Sequence, residues 1–125
     1  MSASQRILSY RDLQVWRKGI ALVVGVYDLA KRLPKSEQFE LARQLRTAAV
    51  SIPANIAEGH GRDHLGDYLH HLSIANGSLM ELETELIIAE LLGFLSRTEI
   101  AGALSRTEEL GRMLAGLSCH LKERR

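Results

Sequence analysis

Three histidines and one carboxylate crowd a short stretch of this chain: His60, His64, Asp67 and His71. The last three share one face of a helix, and imidazole with carboxylate is a ligand set that suits zinc. Their spacing matches no defined zinc motif, and histidines beside a loop are commonly surface residues. Helical bundles more often hold metals through Glu-x-x-His pairs. No glutamate here is followed three residues later by histidine, which argues against a ferritin-like site. Cys119 and His120 are adjacent, and neighbouring residues on a helix point in different directions, so they make a poor nucleophile and base. Gly59-His-Gly61-Arg62 lacks the phosphate-cradling pattern, and no strand precedes it. The sequence therefore predicts no catalytic residue, no metal and no cofactor.

More telling are polar residues set inside apolar patterns. Asn55 follows Ile52 by three residues, and Glu58 lies three further on. Asn76, Glu83 and Glu90 run along the flank of another apolar stripe. Buried carboxylates need partners, and Arg43 and Arg46 could supply them. One reading is a polar seam that fixes helix register. The other is a polar groove lined by Arg46, Asn55, Glu58 and Glu83.

These side chains need elements to hold them. Ser9-Tyr-Arg-Asp12 reads as a capping box, Ser9 accepting from a free amide and Asp12 reaching back. Behind it Leu13, Trp16, Ile20, Val23, Tyr27 and Ala30 recur at three- and four-residue spacing. That spacing predicts one apolar stripe with Trp16 in the core, where Trp16→Ala costs roughly 3–5 kcal/mol. Leu33-Pro34 ends the helix, because the residue before proline avoids helical geometry.

Ser36 then caps a second helix striped by Leu41, Leu45, Ala48, Ile52 and Ile56. Pro53 is expected to kink it, or split it near Ser51, and Gly59-His-Gly61 ends it. A third helix starts at Asp63 and carries Leu65, Tyr68, Leu72, Ala75, Leu79, Leu82, Leu86 and Ala89. Gly93 follows as a left-handed terminator. Ser96-Arg-Thr-Glu99 is a second capping box, opening a helix striped by Ile100, Ala103, Leu110, Leu114, Leu117 and Leu121.

Amphipathic helices joined by short turns become antiparallel neighbours, so the fold class is all-α: an antiparallel up-down-up-down four-helix bundle. Residues 9–121 form the bundle, 1–8 a flexible N-terminal segment and 122–125 a charged tail. Helix 3 carries further apolar residues at Leu69, Ile74, Ile87, Ile88, Leu91 and Leu92, and helix 1 at Val15, Leu22 and Val26. Such width fits either contact with another copy or one thick core.

At 125 residues the chain fits one domain, with 46% hydrophobic and 25% charged residues, a globular rather than a disordered composition. One cysteine forms no internal disulfide, and no apolar run suits a signal peptide or a membrane span. A cytoplasmic location and no membrane partner are expected. Net charge is +1 but uneven: residues 1–62 hold ten Lys/Arg against five Asp/Glu, while 63–96 hold six acids and no base. That asymmetry fits complementary helix faces as well as a polyanion site.

The stretch Gln44-Leu-Arg-Thr-Ala-Ala-Val-Ser-Ile-Pro-Ala-Asn-Ile-Ala-Glu-Gly59 is specific. With Asp12-Leu-Gln-Val-Trp16, Gly61-Arg62 and Gly77-Ser-Leu-Met-Glu-Leu-Glu-Thr84, it resembles the bacterial four-helix-bundle family of 23S rRNA-intervening-sequence proteins over about residues 10–95. The resemblance implies an up-down bundle assembling as a ring-shaped homopentamer. It also implies kinship with the accessory proteins of diversity-generating retroelements, which bind nucleic acid through basic surfaces. By position, the family's motif residues fall on Arg46, Ser51, Pro53, Asn55, Glu58, Gly59, Arg62, Gly77, Ser78, Glu81 and Glu83. Thr47 and Asn76 stand where family members commonly have a basic residue. Asp63-His-Leu-Gly-Asp67 stands where a lysine is frequent. Each change removes positive charge, and affinity for nucleic acid rises with the phosphates neutralised.

The functional expectation is a non-enzymatic homo-oligomer that binds nucleic acid, RNA above all, with Arg17, Lys18, Arg43, Arg46 and Arg62 as candidate contacts. DNA is a further candidate ligand. The alternative is a protein-interaction scaffold that recruits an unidentified protein and has no nucleic-acid affinity. Salt-sensitive RNA affinity favours the first, and a stoichiometric protein partner the second.

Overall fold

The computed structural model describes residues 6–124. Most of the segment 1–8, residues 1–5, lies outside the described residues, as does Arg125 of the tail. Four α-helices dominate the described chain: α1 (Gln14–Lys31), α2 (Leu41–His60), α3 (Leu65–Leu91) and α4 (Arg97–Lys122). Each packs on its chain neighbour, and α4 closes back onto α1. The pairings run in opposite senses along partner helices. Ser51 meets Ser78 while Asn55 meets His71, and Lys18 meets Glu109 while Arg32 meets Glu99. That is an antiparallel four-helix bundle, and among the described residues no strand is present. No described helix is long and apolar enough to cross a membrane.

The caps follow the sequence closely at the start of α4. The Glu99 amide donates to Ser96 Oγ (3.0 Å), and Glu99 Oε1 accepts from the Ser96 amide (2.8 Å). Gly93 ends α3 at φ +80°, with the Phe94 amide donating to the Ala89 carbonyl, the bond that the left-handed glycine makes reachable. At the other end, the Ser9–Asp12 box caps a short 3-10 helix, Tyr10–Asp12, rather than α1 itself.

In α1 the stripe differs from the expected one. Val15, Gly19, Leu22, Val26, Leu29 and Ala30 are buried, whereas Ile20 and Tyr27 are exposed and Trp16 and Val23 are half-buried. Two apolar stripes lie side by side on this helix, and close packing selects the slimmer one. Gly19 approaches Pro53 so nearly that a β-carbon added to it would sit 3.3 Å from Pro53 Cβ. The bulky residues are displaced to the flank, where Trp16 stands edge-on to Tyr10 at 5.3 Å.

α2 also departs from expectation. Ser36 falls in a separate 3-10 helix, Lys35–Glu37, and α2 starts at Leu41 without a side-chain cap. Pro53 does not split it: α2 is continuous from Leu41 to His60, with the proline ring buried against Gly19. α3 begins at Leu65, two residues after Asp63, with His64 at its N-cap. Its predicted stripe is buried from Leu72 to Ala89, and the surplus residues Ile74, Ile87, Ile88, Leu91 and Leu92 are exposed. In α4, Thr107 fills the gap between Ala103 and Leu110. Its hydroxyl is fully buried within reach of Glu83 Oε2 (2.7 Å) and the Leu104 carbonyl (2.9 Å).

Candidate functional site: the polar seam between α2 and α3

The most connected set of polar side chains lies between α2 and α3. Ser51 and Ser78 share a hydrogen bond of 2.8 Å between their hydroxyls. One turn further along α2, the Asn55 amide donates back to the Ser51 carbonyl (2.8 Å) and to Ser51 Oγ (3.1 Å). This leaves Asn55 Oδ1 as an acceptor, 3.0 Å from His71 Nδ1. The imidazole must therefore carry hydrogen on Nδ1, because the facing oxygen cannot donate. Glu58 Oε2 lies 3.8 Å from the same nitrogen, and Glu58 Oε1 accepts from Arg62 at 2.9 Å.

The helices allow this only because they are thin where they meet. A β-carbon added to Gly59 would lie 2.8 Å from His71 Cβ and 3.2 Å from the Tyr68 carbonyl oxygen. Gly59 thus brings the end of α2 close enough for His71, only 13% exposed at its side chain, to reach Asn55. The polar groups of the seam are engaged with one another. Its two hydroxyls bond each other, and Asn55 stands between them and the imidazole, so no hydroxyl is paired with a base.

The predicted groove residues divide among several places. Ser51, Asn55, Glu58, Gly59, Arg62 and Ser78 come together in the seam. Arg46 does not join them; its guanidinium donates to the Gln38 carbonyl (2.8 Å) and Gln38 Oε1 (3.4 Å). Gln38 in turn donates to the carbonyls of Ala30 and Leu33, so Arg46 braces the α1–α2 turn. Glu83 faces α4 through Thr107, and Glu90 meets Arg97 at 3.2 Å. The flank carboxylates of α3 are thus served from α4, not by Arg43 and Arg46.

Glu81 lies exposed beside Glu85, a buried carboxylate that the sequence reading passed over. Glu85 is 4% exposed, and its Oε1 has no hydrogen-bond partner. Burial pushes its carboxyl up to about 7, with help from the charge of Glu81 and a hydrogen bond to it. Its signal was position: three residues after Leu82 and four before Ala89, it sits on the stripe's edge.

The histidine set does not assemble. His71 turns to Asn55, and His60 stands edge-on to Tyr68 at 5.9 Å. Among the described residues no group of three or more metal-ligating side chains comes together. Cys119 is exposed.

The candidate basic contacts also separate. Arg17 binds the Arg11 carbonyl (2.8 Å) and approaches Asp12, Lys18 pairs with Glu109 at 3.3 Å, and Arg62 pairs with Glu58. Arg43 forms no ion pair within the described residues and lies 6.0 Å from the ring centre of Phe39.

No protein with a curated description matches the chain. A solved structure described as a protein with unknown function from the S23 ribosomal protein family of Bacteroides thetaiotaomicron shares the fold. Its TM-score is 0.78 at 23% identity, covering 83% of this chain and 97% of that one. The family described as 23S rRNA-intervening sequence protein matches residues 11–116, a span that holds α1, α2 and α3 entire, most of α4 and the whole α2–α3 seam. The chain belongs to the 23S rRNA-intervening sequence protein family.

Proposed function

We propose that this protein is a non-enzymatic, self-associating bundle of the cytoplasm that binds RNA on the shoulder formed by α1 and α2. One observation carries the reading: three cations without a carboxylate partner cluster around Tyr27. Arg17, Lys18, Arg32, Arg62 and Arg97 are each matched by a carboxylate within 4.0 Å. Other cations have no such partner among the described residues, Arg106, Arg112 and Lys122 of α4 among them, but Lys31, Arg43 and Arg46 are gathered on shallow recesses around Tyr27. Charge left unmatched on one surface is what attracts a polyanion. Assembly into a ring, the homopentamer that family membership suggests, repeats this weak site and raises its avidity.

The test is RNA binding across a salt series, with mass read by light scattering. Affinity that falls steeply with salt and is lost in the Lys31→Glu/Arg43→Glu variant supports the reading. No binding at low salt sinks it.

A second reading is a scaffold that recruits another protein. It is favoured by the apolar side chains exposed along α3, among them Ile74, Met80, Ile87, Ile88 and Leu91. Self-association covers the same residues, so a monomer at high concentration together with a stoichiometric protein partner would favour the scaffold.

A further inference from the structure

Phe39 is the most exposed aromatic side chain of the described residues, 76% open to solvent. It sits in the turn before α2, and the turn is firmly held. The Gln38 side chain donates to the carbonyls of Ala30 and Leu33, and Arg46 grips the Gln38 carbonyl at 2.8 Å. An apolar ring is therefore displayed on a braced support. The Arg43 guanidinium lies 6.0 Å from the ring centre, which leaves much of the ring uncovered.

Next along the same shoulder, Tyr27 is 41% exposed and lines a recess of about 470 Å³ with Arg43, Arg46 and Thr47. A second recess, about 420 Å³, continues past Tyr27 to Lys31. Asp28, the one acid lining these recesses, is bonded to Arg32 at 2.8 Å; beside Phe39, Glu37 accepts from the Leu41 amide at 3.4 Å and Glu40 is exposed. Two open aromatic side chains thus alternate with two exposed cations that lack carboxylate partners, Arg43 and Lys31.

We propose that this shoulder binds single-stranded RNA, stacking unpaired bases on Phe39 and Tyr27 while Lys31 and Arg43 take the phosphates. The inference rests on the RNA-binding reading above and narrows it to one strand form and two stacking residues. Every base has a π-face, so stacking on exposed aromatic side chains captures a single strand whatever its sequence. A duplex keeps its base faces inside the stack and offers mainly phosphates and 2′-hydroxyls. Aromatic side chains interleaved with cations therefore select the single strand, where cations alone accept both.

The experiment compares a labelled oligouridine of about 12 nucleotides, within the span of known single-strand sites, with an RNA duplex of equal length. Both are titrated against the full chain at two salt concentrations. The oligouridine is expected to bind more tightly than the duplex. Phe39→Leu, which keeps bulk but removes the π-face, should weaken oligouridine binding about tenfold, with the salt dependence unchanged. Phe39→Trp should restore it. Phe39 is exposed, so these variants leave the core intact. Equal binding of both forms, or oligouridine binding indifferent to Phe39→Leu, overturns this inference while the RNA-binding reading stands. Absence of binding to either RNA at low salt overturns both.

Discussion

Asn55 Oδ1 accepts a hydrogen bond from His71 Nδ1 at 3.0 Å, and the amide of the same asparagine is spent on Ser51. One side chain therefore joins α2 to itself and to α3. Asn55→Ala leaves His71 and Ser51 short of partners in a half-buried seam. The expected loss is about 1–3 kcal/mol of stability, read from urea denaturation. Combined with His71→Ala, the two losses should fall short of additivity by about 0.5 kcal/mol or more. Strict additivity would mean that the residues act separately.

Two glycines of the family motif should answer alanine in opposite ways. At Gly59 the new carbon meets His71 and the Tyr68 backbone, so α2 must move off α3 at a cost of about 1–3 kcal/mol. At Gly77 nothing lies within 4 Å, and the gain in helix propensity should stabilise the chain by up to about 1 kcal/mol. Thermal melts of the two variants at low protein concentration decide between these signs. A Gly77→Ala variant that melts higher yet assembles less would place Gly77 at a contact between copies.

Glu85 makes stability fall as pH rises. Its carboxyl titrates near 7 when folded, against 4.5 for an ordinary glutamate, so between those values the folded state holds more protons than the unfolded. The stabilisation is complete below about pH 4.5 and gone above about 7. Glu85→Gln should remove this slope and raise stability at pH 8 by roughly 1–3 kcal/mol. Asp12 and Glu99 act the other way. Backbone hydrogen bonds, from Leu8 and Ser9 and from Ser96, hold their carboxyls low, so their contribution is lost on acidification. Denaturation midpoints between pH 3 and 9 in both proteins test the balance. Parallel curves would contradict the role given to Glu85.

The core of α1 runs through Leu22, not Trp16. Leu22→Ala should cost about 2–5 kcal/mol, since the side chain is 1% exposed and leaves a cavity. Trp16→Ala, at a half-buried flank, should cost less. Equal or reversed losses in denaturant titrations would restore Trp16 to the centre.

Much of the fold was legible because α3 and α4 carry long apolar stripes and the junction between them is unambiguous: Gly93 and the Ser96–Glu99 box. α1 misled because two stripes of equal period run beside each other. Periodicity finds a helix, but the partner's surface, here Pro53 against Gly19, decides which stripe faces inward. The seam was half legible. Asn55, Glu58 and Ser51 stood out on α2, but no spacing rule links them to His71, which the antiparallel register delivers from α3. Pairing of charges was the least readable. Lys18 meets Glu109, and Arg32 meets Glu99, across most of the chain's length.

Those last contacts bear on the order in which the chain folds. α1–α2, α2–α3 and α3–α4 each join consecutive helices, so their loops are short and cheap in entropy. α4 must instead find α1 across 67 residues at Arg32–Glu99 and 85 at Arg106–Ala21. Closing the ring of helices is the most distant encounter in the molecule, and by the link between contact distance and rate it belongs after the transition state. Weakening that interface, as in Arg106→Ala, should accelerate unfolding and leave the folding rate almost untouched. On that expectation the α1–α4 face is where the native bundle opens first.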